Sequence, residues 1–166
     1  MVSAEKKVFE IRITNDTMHP RNDALCPYVI DNNDIFAYPN HIYHYHVELE
    51  GLEGSFSIGN GRPVSGTFKN IVFLEDTWIE DTVFKNVTFE NCVFKDVDCI
   101  RWCKFDNCQF INCSGNFQYA RVTTWKKNCK FVNSSFLIDR IDEYVYINSK
   151  RHSADWMNDD PTVVSF

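Results

Sequence analysis

From Phe68 to Phe136, large apolar residues recur at a spacing of five: Phe68, Phe73 and Trp78; then, one residue late, Phe84, Phe89 and Phe94; then Phe105 and Phe110; then Phe131 and Phe136. This stretch holds ten of the fourteen phenylalanines. The spacing fits neither regular element. On an α-helix five residues advance by about 140°, which smears the rings around the cylinder. On a flat strand an odd spacing sends successive rings to opposite faces. A chain that turns a corner about every five residues, by contrast, presents one ring inward from each side. A second position keeps the same period. Two residues before the ring stands a small or modest side chain: Thr82, Val87, Cys92, Cys103, Cys108, Cys129 or Ser134. Three residues before it stands a turn former: Asn70, Asp81, Asn86, Asn91, Asn107, Asn128 or Asn133. Asn and Asp tolerate tight turns and bond their own backbone there.

Each unit thus reads turn residue, small inward residue, spacer, large inward ring, spacer. The pattern resembles the pentapeptide-repeat family, and predicts an all-β, right-handed quadrilateral β-helix over 68–137. Residues 1–67 are expected to form an N-terminal cap of strands and loops, and 138–166 a C-terminal cap and tail. About seventy residues make roughly three to four coils, stacked at about 4.8 Å and touching only their neighbours. Such a stack has an open sheet edge at each end, which must be capped or used.

Outside the repeat, Lys7–Thr14 alternates and reads as a strand, as does His41–Leu49 with its β-forming Ile42, Tyr43, Tyr45 and Val47. Asn15–Asn40 is turn-rich and predicts mostly loop. Gly51–Gly66 holds five of the six glycines and predicts a hairpin or loop leading into the first coil. Ile138–Ile147 suits a strand or a short helix. The polar tail ends on Val163-Val164-Ser165-Phe166, an apolar run stopped by the chain end, which hints at truncation.

A chain of 166 residues with 15% aromatics can bury one core. The net charge of −6 argues against a nucleic-acid surface, which needs a basic patch. No apolar run approaches membrane-spanning length, and Met1–Glu10 is no signal peptide. The chain therefore reads as cytosolic, or as a piece of a longer secreted or membrane protein. Six of the seven cysteines lie in the repeat. A ladder of free thiols inside the helix is the simpler reading, since Cys behaves as a small hydrophobe. Disulfides among Cys99, Cys103, Cys108 and Cys113 are the alternative, and the absence of a CxxC pair weighs against zinc.

Candidate chemistry is sparse. His44 and His46 project to one face of a strand, with Glu48 and Glu50 following. This partial cupin-like HxH motif makes His44, His46 and Glu50 weak metal candidates and leaves a metal-dependent cupin-like enzyme as the remotest reading. His41 stands beside them, while His19 and His152 are isolated in polar segments. There is no GxSxG nucleophile motif, and Gly59-Asn60-Gly61 lacks the ending of a phosphate loop. No catalytic residue and no cofactor are expected. Asn-x-Ser/Thr sequons occur at Asn15, Asn86, Asn112 and Asn133, although an Asn-rich repeat produces such triplets by chance.

Three strings carry a more specific resemblance: Phe94-Lys95-Asp96-Val97, Phe105-Asp106-Asn107-Cys108-Gln109-Phe110, and Phe131-Val132-Asn133-Ser134-Ser135-Phe136-Leu137. Lys7-Val8-Phe9, the Asn15 sequon and Val164-Ser165-Phe166 resemble the two ends of the same domain. Together they resemble the luminal domain of the synaptic vesicle glycoprotein 2 family, a glycosylated loop between membrane spans of a transporter-like protein. The chain departs from that family at Gln109, which removes a sequon, in an apparent insertion from about Pro20 to Pro63, and in extra cysteines. The resemblance implies a vesicle-lumen or extracellular location, a membrane-spanning parent and N-glycans, with Asn133 as the glycan carrier nearest the last coil. It also implies a protein partner, such as a botulinum neurotoxin type A binding domain, that adds a strand along Phe131, Val132, Asn133, Ser134, Ser135, Phe136 and Leu137. Leu137 offers no aromatic face for a partner arginine. The alternative is a cytosolic, acidic pentapeptide-repeat inhibitor that works by mimicry, which the charge permits.

Overall fold

The computed structural model describes residues 8–17, 28–30, 42–59, 61–153 and 162–165. His19, Cys26, His41, Asn60 and most of the expected loop before Asn40 lie outside the described residues. Twenty strands and no helix are present among them: β1 (Val8–Thr14), β2 (Tyr28–Ile30), β3 (Ile42–Glu50), β4 (Glu53–Gly54), β5 (Phe56–Ile58), β6 (Pro63–Lys69), β7 (Val72–Phe73), β8 (Trp78–Glu80), β9 (Val83–Glu90), β10 (Val93–Val97), β11 (Cys99–Arg101), β12 (Lys104–Asp106), β13 (Gln109–Ile111), β14 (Ser114–Phe117), β15 (Ala120–Trp125), β16 (Lys130–Val132), β17 (Ser135–Ile138), β18 (Ile141–Ile147), β19 (Lys150–His152) and β20 (Thr162–Ser165).

The strands stack in parallel as a β-solenoid of about five turns. Its register is fixed by a turn of 21 residues. Successive inward residues Phe84, Phe89, Phe94, Ile100 and Phe105 are separated by five, five, six and five positions, after which Phe105 pairs with Phe84 one coil back. Four columns result. One runs Tyr45, Val64, Phe84, Phe105, Trp125, Ile147. The next runs Leu49, Phe68, Phe89, Phe110, Phe131. The third runs Gly54, Phe73, Phe94, Gly115, Phe136. The fourth runs Ile58, Ile79, Ile100, Ala120, Ile141.

In-register pairing forces the rings of a column to stack at the strand spacing, which is about 4.8 Å. Phe84–Phe105, Phe89–Phe110 and Phe110–Phe131 stand 4.8 Å apart with interplanar angles of 4–5°. Phe73–Phe94 lies at 4.7 Å, and Trp125 ends the run of rings in its column by stacking 5.1 Å over Phe105, with Ile147 beyond it. Between columns the rings meet tilted or edge-on, as Phe84–Phe89 does at 5.9 Å. Each coil therefore combines face-to-face contacts along the axis with edge contacts across it.

The small position two residues before the ring has a polar function as well as a steric one. The thiols of Cys92, Cys108, Cys113 and Cys129 and the hydroxyl of Ser134 each donate to the carbonyl 24 residues earlier, at Phe68, Phe84, Phe89, Phe105 and Phe110, over 3.0–3.3 Å. The six described cysteines are free thiols, and five of them occupy this position. At the corners, Asn70, Asn91, Asn112 and Asn133 form one column and Asn86 and Asn107 another, all with φ between 48° and 57°. Their amides bond along the axis, as in Asn107 Nδ2 to Asn86 Oδ1 at 2.7 Å and Asn133 Nδ2 to Asn112 Oδ1 at 2.9 Å.

Three expectations are corrected. Trp78 is not an inward ring: Ile79 takes that place at 3% exposure, while Trp78 faces out at 36%. The late step in the sequence is a six-residue side, so the aromatic at 78 falls one position short of the interior. Residues 1–67 are not simply a cap. β3, β4, β5 and β6 continue all four columns, and β1 and β2 pair in parallel outside β3 and β5. Their inward residues are Tyr45, Val47, Leu49, Phe56, Ile58 and Val64, which lack the repeated Phe. The glycine-rich stretch is thus coil rather than a hairpin. At the other end, β19 folds back antiparallel on β18, and β20 lies antiparallel on β17.

Column three contains its own exception. Gly115 stands where a ring belongs, with φ +130°, and a Cβ there would lie 2.0 Å from the Phe94 carbonyl oxygen. Phe117 fills the space from two residues on, 5.1 Å from Phe94 and 5.8 Å from Phe136. Gly115→Ala is expected to lower unfolding free energy by about 3 kcal/mol or more. Phe89→Ala, which empties the centre of one stack, is expected to lower it by about 3–5 kcal/mol. Ile79→Ala is expected to cost about 2–5 kcal/mol, against less than about 1 kcal/mol for Trp78→Ala. Denaturant midpoints of the four variants check all three statements.

Candidate functional site

Two surfaces stand out, the C-terminal rim and one lateral face. The rim carries the stretch expected to form an open edge. Asn133 turns a corner there with φ 48° and divides the stretch into β16 and β17. Phe131 packs inward against Phe110, and Phe136 is fully buried. Ser134 is also buried; its hydroxyl accepts from the Cys113 N–H at 2.9 Å and donates towards the Phe110 carbonyl. Val132 and Leu137 face solvent, 53% and 42% exposed. The expected single open edge is therefore corrected. Ser135, Phe136 and Leu137 are already paired with Ser165, Val164 and Val163 of β20. Among the described strands, β16 pairs with β13 alone.

Cys129 lies at the foot of β16, half-buried, one coil beyond Cys108. The side-chain interaction with Cys108 brings the Cys129 thiol down to about 7, while Cys108 itself is pushed up. Cys129, nearer to solvent, is the member of the pair that ionises first. Cys113, buried, is likewise held below the usual thiol range by its side-chain interaction with Cys92, whereas burial pushes Cys103 up to about 12 and Cys99 up to about 11.

The sequon asparagines serve the fold first. Asn15 extends the β1–β3 ladder, donating to the Glu50 carbonyl at 2.5 Å and accepting from the Glu50 N–H at 3.0 Å. Asn86, Asn112 and Asn133 belong to the corner ladders. The histidines share a face as expected but not a target. His44 Nε2 meets Ser65 Oγ at 2.6 Å, His46 Nε2 meets Glu48 Oε1 at 2.8 Å, and Glu50 is held through its backbone to Asn15. Among the described residues no three His, Cys, Asp or Glu side chains converge as metal ligands. A shallow pocket of about 400 Å³ is lined by Thr124, Trp125, Lys126, Lys127, Tyr146 and Ser149. The indole N–H of Trp125 has no hydrogen-bond partner, but its ring belongs to the interior stack.

The lateral face lies over the fourth column, and sequence reasoning missed it by placing Trp78 inside. Trp78 lies two coils from Tyr119 by register, with Cys99 between them. Two positions on, past the inward Ile79, Ile100 and Ala120, Glu80, Arg101 and Arg121 align in successive coils, and the corner beyond carries Asp81, Trp102, Val122 and Glu143. The Arg101 guanidinium stands 5.2 Å from the Trp78 ring and 4.6 Å from that of Trp102, and pairs with Glu80 at 2.8 Å. Arg121 stands 5.8 Å from the Trp102 ring and is paired with Glu143. The Tyr119 hydroxyl donates to Asp142 Oδ2 at 2.8 Å. Trp102 is 46% exposed and has φ 53°; Val122, one coil on, has φ 45°. A left-handed backbone costs a non-Gly residue about 1–2 kcal/mol, and is rare for bulky or β-branched side chains. The other corners of the repeat use Asn or Asp there. A signal for this face was available in the Arg101-Trp102 dipeptide, which breaks the corner rule of the repeat.

Fold and surfaces together define the class: a short parallel β-solenoid with a strand-covered rim and an aromatic, arginine-rich flank. Compared with models of protein families, with curated proteins and with solved structures, the chain matches none.

Cys129 is expected to react with iodoacetamide well before the other described thiols at neutral pH, with Cys129→Ser leaving only slow sites by mass spectrometry. The folded value of Cys129 lies below its unfolded one, so its thiolate stabilises the fold. That contribution is fully present above the unfolded value and is lost as pH falls through about 7. Comparing the pH dependence of unfolding for wild type and Cys129→Ser over pH 6–9 checks the sign.

Proposed function

We propose that the chain is a non-enzymatic recognition module that takes an extended peptide of a protein partner by strand pairing at its C-terminal rim. One observation carries this reading: the rim already holds an added antiparallel strand. β20 lies along β17 in continuous register, Ser135 to Ser165 through Ile138 to Thr162, although every earlier neighbour in that sheet is parallel. Strand addition of this kind draws affinity from backbone hydrogen bonds and selectivity from alternate side chains. Val132 and Leu137 supply exposed apolar contacts beside the paired backbone. The luminal domain of the synaptic vesicle glycoprotein 2 family, which the chain resembles in sequence, offers a matching context. In it the module faces a vesicle lumen or the extracellular side, Asn133 carries a glycan, and the partner is of the neurotoxin-binding-domain kind. That context rests on the sequence resemblance.

Val164→Pro removes a backbone donor opposite Phe136, and is expected to release β20 without disturbing the coils. Amide exchange at Ser135–Ile138 should then accelerate by at least tenfold. A synthetic peptide of residues 157–166, added in trans, should restore protection in the variant. Unaltered exchange in the variant, or no response to the peptide, would sink strand addition at this rim. Expression in a secretory cell line tests the context separately: the expected result is a mass increase at Asn133 that N-glycosidase removes.

A further inference from the structure

The lateral face over β8, β11 and the start of β15 is independent of the rim, and its composition is particular. Among the described residues, Trp78 and Trp102 are the two largest exposed apolar side chains. A solenoid coil does not need either. Outward positions on a strand accept any polar residue, and the corner that Trp102 occupies holds Asp81 one coil earlier, while the asparagine columns hold Asn at φ between 48° and 57°. Strained backbone of this kind gathers at binding sites, where another requirement holds it in place.

The charges beside the rings do not favour an ionic partner. Arg101 is paired with Glu80, and Arg121 with Glu143 and, at 3.9 Å, with Asp142. Each of these two arginines is thus held by a carboxylate, and the excess carboxylate, Asp142, is held by the Tyr119 hydroxyl, so the face has no uncommitted guanidinium to draw an anion. What they leave is a row of planar, held hydrogen-bonding groups beside flat apolar rings. Guanidinium and carboxylate ends in fixed pairs donate and accept in two directions at once. A ligand matching this surface is uncharged, has apolar C–H faces to lay on indole rings, and has a rim of hydroxyls. Spacing adds to the case. Trp78 and Tyr119 project from positions two coils apart, about 9.6 Å, a length comparable to the two-residue repeat of an extended β-linked hexopyranose chain.

We propose that this face is a binding platform for a neutral, linear, β-linked saccharide. Trp78 and Tyr119, two coils apart, stack on sugar rings of one chain with Trp102 beside them, and Arg101, Glu80 and Arg121 bond its hydroxyls. Arg101 holds both indoles in place through its contacts with each ring. A polyproline-II peptide, the other extended ligand that aromatic surfaces take, makes less use of so many paired polar ends.

The test is tryptophan-emission titration of the full chain with two probes, a β-linked glucose hexasaccharide and a β-linked N-acetylglucosamine hexasaccharide, with a proline-rich decapeptide as comparison. Saturable emission change with at least one saccharide and none with the peptide is expected. Trp78→Ala should weaken that binding at least tenfold. Trp102→Asn should do the same while raising the melting temperature, because Asn suits the left-handed corner. This second variant separates binding from folding. The proposal is overturned if neither saccharide gives a saturable response, if binding survives both substitutions, or if the peptide alone binds.

Discussion

The constraint on which the structure depends is the coincidence of every coil with the one below it. Parallel strands at one fixed spacing place each side chain directly over its counterpart a turn earlier. Once the turn is 21 residues long, a ring at one position demands a ring, or a compensating neighbour, at the next. The stacks Phe68–Phe89 and Phe89–Phe110 continue to Phe131 because the pairing leaves them nowhere else to go. The same superposition turns lone polar groups into ladders. A corner Asn finds the amide of another Asn, and an interior thiol finds the carbonyl of the previous coil. Buried polar groups cost little here because the geometry that buries them also supplies their partners.

This constraint also explains what the sequence revealed. The Phe columns, the small hydrogen-bonding residue and the corner Asn were legible because superposition writes the same residue at a regular interval. Where the coil meets the constraint with other residues, the signal fades. Tyr45, Leu49 and Val64 occupy the same columns as Phe84 and Phe89, yet they carry no repeated ring, so the early coils read as cap and loop. Trp78 misled for a related reason. An aromatic five residues after Phe73 matches the pattern, but that side of the coil is six residues long and its inward residue is Ile79. Only the pairing of Ile58, Ile79 and Ile100 discloses this, and pairing is a long-range fact. The antiparallel return of β20 was likewise hidden, since a short apolar run at the end of a polar tail does not state its partner.

The two candidate surfaces answer to different physical demands. A solenoid must end, and an uncovered parallel strand invites pairing with other chains. Covering β17 with β20 and β18 with β19 manages that hazard with the chain's own strands. The rim cover is thus inherent in the fold: its strands carry the stacking reaction on by one more strand, in the antiparallel sense. The flank owes nothing to that reaction. Its residues project away from the core and could be exchanged without loss to the stack.

Cost is what distinguishes the flank from ordinary surface. Had Trp102 and Val122 been neutral choices, their corner would carry the Asn or Asp found at Asp81 and in the asparagine columns. Instead a bulky ring and a β-branched residue hold the left-handed conformation in adjacent coils. The arginine beside them divides its guanidinium between two indoles and a carboxylate. Superposition turns even this departure into order. Because the coils align, one arginine can brace rings from two successive turns, and the face becomes a rigid platform rather than a set of mobile side chains. The proposed saccharide platform would account for a departure at Trp102 that the coil itself does not require.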